Sequence, residues 1–165
     1  QRRPVQKNHP SPSTLKASDI PRREREFIGL LLNYPRFLGP TSKSITPSAL
    51  DTPSCQNLLG ELFKRIGEKN EVDPAQLMNQ LENHDLSSLI SECLSFGFSE
   101  DNVEAQWQES ISFFSRNLIE RNITETRHEL LEAELAENNE QIMQISKKLI
   151  DLNRERQELF QSQKP

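Results

Sequence analysis

The chain has 165 residues, 33% of them apolar, and a formal net charge of -5. With a mean hydropathy of -0.73, it lacks the apolar content for a core that uses its whole length, and no apolar run approaches the ~20 residues needed to span a bilayer. Its charge comes in separate blocks, cationic at Arg2, Arg3, Lys7 and Lys16 and acidic at Glu129, Glu132, Glu134, Glu137 and Glu140. A nucleic-acid-binding domain would gather its basic residues on one face, and this chain does not.

Residues 1–20 contain Pro4, Pro10 and Pro12 among Ser, Gln and Lys, without periodicity, and read as a flexible Pro-rich linker. The start has no initiator Met and no hydrophobic signal core, which predicts a cytoplasmic segment of a longer chain. The first helix is expected from Pro21 to Tyr34, capped by Ser18 or Asp19, with Glu24 and Glu26 near its positive end. Phe27, Leu30, Leu31 and Tyr34 make its buried stripe, and Pro35 stops it. Residues 36–46 read as an irregular link with Phe37 and Leu38 tucked inward. A helix from Thr52-Pro53 carries Cys55, Leu58, Leu59, Leu62, Phe63 and Ile66 in an unbroken three-four rhythm and ends near Gly67 and Asn70. Asp73-Pro74 opens a shorter helix with Leu77, Met78 and Leu81. Asp85 opens another with Leu86, Leu89, Ile90, Cys93 and Leu94, closed by Phe96-Gly97-Phe98. No alternating β-branched run predicts a strand.

From Glu104 to Phe160 there is neither proline nor glycine. Ser99-Glu100-Asp101 is expected to cap a long helix whose Trp107, Ile111, Phe114 and Leu118 still belong to the bundle. Beyond them Ile119, Ile123, Leu130 and Ala133 keep heptad spacing, with Leu131 and Leu135 beside the seam. Glu137-Asn138-Asn139-Glu140 reads as a turn, Asn138 taking the left-handed conformation and Asn139 capping the next helix. Ile142, Ile145, Leu149, Leu152 and Leu159 resume the heptad, with Arg156 in the slot between the last two. The fold class predicted is all-α: a helical bundle over residues 21–118, then a long helix and a C-terminal helical hairpin over residues 119–165. The acidic face of the first arm should meet the cations of the second.

Chemical motifs are missing from this pattern. The 5 glycines are scattered, so no phosphate-cradling loop can form. His9, His84 and His128 are far apart and no Cys-x-x-Cys exists, so no zinc site is expected. His128-Glu129-Leu130-Leu131-Glu132 departs from a metalloprotease helix by placing Glu where the second His belongs. Cys55 and Cys93 fall on apolar stripes and read as reduced, buried thiols. No catalytic or cofactor-binding residue is assigned, and a small helical enzyme is the least favoured reading.

The segment Arg23-Glu24-Arg25-Glu26-Phe27-Ile28-Gly29-Leu30-Leu31-Leu32-Asn33-Tyr34-Pro35 resembles the first helix of the C-terminal helicase-interaction domain of bacterial DNA primase. The run from Leu130-Leu131-Glu132 through Asn138-Asn139 to Leu149, Leu152 and Gln157-Glu158-Leu159 is similar to that family's terminal hairpin, which usually turns at Gly-Asp. The resemblance implies a non-catalytic domain that docks primase on the N-terminal domains of the hexameric replicative helicase during DNA replication. It implies no cofactor in this segment; the zinc and magnesium of the parent primase would belong to domains preceding Gln1. The helicase's own N-terminal domain has a similar bundle and hairpin, but there the linker follows the hairpin. A structural homodimer through the long helix is the other alternative; the expected state is a monomer or weak dimer, with no direct contact to nucleic acid or membrane. On the primase reading the partner-binding residues are Ile145, Lys147, Lys148, Leu149, Leu152, Arg154, Arg156, Leu159, Phe160 and Lys164. Leu152, Leu159 and Phe160 would anchor, and the cations would steer and orient.

Overall fold

The computed structural model describes residues 19–67, 73–80 and 84–161. The expected linker, residues 1–20, lies outside them up to residue 18, as do Asn70, Leu81 and Lys164. The linker's last residue, Ile20, departs from a flexible tether because its apolar side chain is buried in the bundle core. The described residues are all-α. Their helices are α1 (Arg22–Asn33), α2 (Leu38–Ser44), α3 (Pro53–Gly67), α4 (Pro74–Gln80), α5 (His84–Leu94), α6 (Val103–Leu135) and α7 (Asn139–Gln161). Short 3-10 turns at Pro35–Phe37 and Pro47–Ala49 link α1 to α2 and α2 to α3.

Helix α1 is the centre of the bundle. Its run from Phe27 to Leu32 is buried without a break, because α3, α5 and α6 all pack on it. An apolar run with no polar face suits a helix enclosed on all sides. Gly29 allows the tightest approach: a β-carbon there would stand 2.3 Å from the Cys93 carbonyl oxygen of α5. The start of α1 differs from the expected cap. Pro21 holds the N-cap position with no side-chain hydrogen bond, and its carbonyl accepts from the Glu24 and Arg25 amides.

Glu24 stands in the first turn of α1, as expected, and its side chain is buried. It accepts hydrogen bonds from the backbone amides of Asp51 (2.5 Å) and Thr52 (3.2 Å), just ahead of α3. A carboxylate there satisfies orphan amides and faces the positive end of the α3 dipole.

Residues 38–44 form helix α2 rather than an irregular link. Gly39, Pro40 and three hydroxyl residues give weak helix propensity, so the turn is held by tertiary contacts. Thr41 donates its hydroxyl to the Phe37 carbonyl (2.7 Å) and accepts from the Trp107 indole (2.9 Å). Phe37 stacks on Trp107 with ring centroids 5.2 Å apart. Cys55 of α3 and Cys93 of α5 are free and buried. Burial pushes both thiols up, Cys93 to about 12, so each stays protonated and unreactive while the bundle is closed.

Helix α6 has 33 residues and so runs about 50 Å. Its start is set by Asn102, whose amide bonds the Ser99 carbonyl (3.0 Å), and Asn102 makes no side-chain cap. Phe114 closes the bundle by packing on Phe27, with Trp107, Ile111 and Leu118 partly buried beside it. Farther along, Arg121 pairs with Asp51 and donates to the Ser48 carbonyl, tying α6 to the turn before α3. The rest of α6 leaves the bundle and packs on α7.

The hairpin turn falls one residue earlier than expected. Glu137, not Asn138, is left-handed, with φ of 52°. The Asn138 amide reaches the Ala133 carbonyl and the Glu137 amide the Glu134 carbonyl, which is the Schellman closure. The Asn138 side chain then caps α7 by accepting from the Gln141 amide (3.2 Å), the task expected of Asn139.

Candidate protein-interaction surface

The seam between α6 and α7 follows a heptad. Ile119, Ile123, Thr126 and Ala133 are buried on α6 and Leu130 is half-buried. Ile142, Ile145, Leu149, Leu152, Arg156 and Leu159 face them from α7, all half-buried. Glu129 beside Lys148 (3.1 Å) and Glu120 beside Arg156 (3.5 Å) fix the antiparallel register. Thr126 escaped the sequence reading because a hydroxyl interrupts the apolar rhythm. Its oxygen is buried with no hydrogen-bond partner among the described residues.

This geometry sorts the residues expected to bind a partner. Ile145, Leu149, Leu152 and Leu159 are turned into the hairpin's own seam, so Leu152 and Leu159 hold the arms together rather than standing on a free edge. Lys148 and Arg156 are paired with acids of α6. Lys147, Arg154 and Phe160 are exposed, Arg154 within 3.9 Å of Asp151 in its own helix, and the Arg116 guanidinium lies over the Phe160 ring. The expected meeting of acids and cations therefore holds at two pairs. Glu132, Glu134, Glu137 and Glu140 stand in solvent and form no ion pair with another described residue.

The free apolar surface lies outside the seam positions. Leu131 is 53% exposed, Leu135 78%, Met143 71% and Ile150 61%. In heptad terms Leu131, Met143 and Ile150 each follow a seam residue by one place, and Leu135 lies one turn beyond Leu131. The Glu129–Lys148 pair marks the opposite flank, which also carries Glu125, Glu132, Asp151 and Glu155. The hairpin is thus two-sided, with an acidic flank and an apolar flank whose seam-edge charges past Glu120 are Arg127 and Glu134. Apolar residues displaced from a heptad by one place were the signal available in the sequence.

Elsewhere the bundle offers a cleft of about 490 Å³ bordered by Arg22, Arg23, Phe96, Phe98 and Glu109. Its arginines are tied down, Arg22 to Glu26 (2.7 Å) and Arg23 to Glu109 (3.1 Å), and Arg23 also lies over the Phe113 ring. Among the described residues, no cluster of His, Cys, Asp and Glu converges as a metal site, and no helix is long and apolar enough to cross a membrane. No protein-family model, curated protein or solved structure matches the chain.

Proposed function

We propose that this chain is a protein-docking domain without a reaction of its own. Within that class we read it as the domain by which a bacterial DNA primase docks on the N-terminal domains of the hexameric replicative helicase in the cytoplasm. The observation that carries the docking class is the set of four large apolar side chains, each more than half exposed, on a hairpin that projects past the bundle. Exposed apolar residues grouped on one helical face mark interaction sites. The choice of primase rests on the order of linker, bundle, long helix and hairpin, and on the residues of α1 and the hairpin that resemble that family.

In this arrangement the bundle holds the base of α6 and the hairpin presents its apolar flank. Leu152 and Leu159 keep the two arms in register, while Lys147, Arg154 and Phe160 border the contact. The zinc and magnesium chemistry of primer synthesis would reside in other domains of the parent enzyme. Titration calorimetry against the helicase N-terminal domain tests the reading. Ile150→Asp should weaken binding at least about tenfold with helicity unchanged, since hot-spot side chains carry most of such interfaces. Deleting residues 140–165 should abolish binding. Failure of the intact chain to bind, or binding untouched by both changes, would refute the assignment.

A further inference from the structure

The charges on the apolar flank have an order that a single copy does not use. Arg127, Leu131 and Glu134 follow one another at helical spacings of four and three, on one stripe of α6. Arg127 and Glu134 are exposed, and neither forms an ion pair with another described residue. They lie equally far, in opposite directions along the helix, from a point between Leu130 and Leu131. A two-fold axis through that point turns the stripe onto itself in antiparallel sense. Arg127 of each copy then meets Glu134 of the other, and the two Leu131 side chains meet at the axis. An interface between identical copies requires this self-complementarity, whereas an unrelated partner does not.

The shape of the molecule leaves room for the second copy. Among the described residues Arg121 makes the last hydrogen bonds from α6 to the bundle, about 15 Å from Leu131 at 1.5 Å per residue. The hairpin turn of the incoming copy extends only about 10 Å past the axis before it ends. Met143 and Ile150 of α7 flank the contact, and the acidic flank stays outside in solvent. We propose that a second copy of this chain docks on this flank, with two closed hairpins packing antiparallel as a four-helix bundle. The arms are not exchanged.

Sedimentation velocity of the intact chain, from micromolar to millimolar concentration, tests this. A reversible dimer is expected. Arg127→Glu alone, or Glu134→Arg alone, sets like charges opposite at both symmetry-related positions and should weaken dimerisation about tenfold. The double variant R127E/E134R should restore it to within about threefold, because the pairs re-form with reversed sense. Leu131→Asp should abolish the dimer without loss of helicity, since Leu131 is outside the hairpin seam. A monomer at every concentration, a dimer indifferent to the single reversals, or a double variant no better than the singles would overturn the proposal. A dimer that survives Leu131→Asp would also overturn it, in favour of exchanged arms. The second copy and the helicase of the proposed function would occupy the same flank and exclude one another, so the dimer is the state of the free chain. Helicase is absent from the experiment, and either result leaves the docking reading to its own test.

Discussion

Helices α1 and α7 are both leucine-rich, and their surroundings are opposite. In α1 every residue from Phe27 to Leu32 is buried, whereas α7, nearly twice as long, has no buried residue at all. The difference lies in the number of neighbours. Three helices enclose α1, and α7 packs mainly on α6. Each buried apolar side chain adds about 1.5–3 kcal/mol, so a helix that half-buries its stripe is held far more weakly than one that buries every face. Hydrogen exchange should therefore place α7 amides among the fastest helical sites and α1 among the slowest.

The largest effect should come from closing the approach of α1 to α5. Gly29→Ala would drive a β-carbon into the Cys93 carbonyl, and the rigid backbone on both sides should make this cost about 3 kcal/mol in thermal or urea unfolding. A melting temperature unchanged by the substitution would mean that the two helices are not so close. Glu24→Ala should follow, losing about 2–3 kcal/mol, because it strips two backbone amides of their charged acceptor in a part-buried site. Both changes act on the bundle and should leave the hairpin register intact.

Two smaller changes should strengthen the weaker region. Thr126→Val removes a buried hydroxyl with no hydrogen-bond partner and keeps its shape. It should stabilise the hairpin by about 1 kcal/mol, seen as slower exchange in α7 with little change in the bundle. Glu137→Gly relieves a left-handed residue that carries a side chain. The gain should be about 0.5 kcal/mol, since part of the conformational relief is offset by the entropy of glycine. If Thr126→Val destabilises instead, the hydroxyl has found a hydrogen bond in solution.

The sequence was most legible where a local rule coincides with the tertiary environment. Prolines and the three-four rhythm located α1, α3 and α4, and the absence of proline and glycine marked the long helical arm. Residues 38–44 failed that reading because Gly39, Pro40, Ser42 and Ser44 are poor helix formers. Thr41, Phe37 and Trp107 supply the stabilisation from a distance of 66 residues between Trp107 and Thr41. The cap roles at the turn moved by one residue because closure depends on which carbonyl the chain meets as it leaves α6. The candidate surface was half legible. Lys147, Arg154 and Phe160 are exposed as expected, but Leu152 and Leu159 are spent within the hairpin, and Met143 and Ile150 emerged only with the register.

By itself the amino-acid order determined the helical character of the chain, the breaks that proline marks, and the heptad that pairs the last two arms. These follow from backbone stereochemistry and side-chain periodicity, which act over one or two turns. Tertiary structure alone decided that Glu24 turns inward to serve α3, that Gly29 is a contact point, and which apolar residues of the hairpin face water. Those outcomes depend on which surfaces meet, and a periodic sequence leaves that choice open because several faces of a helix offer a comparable stripe.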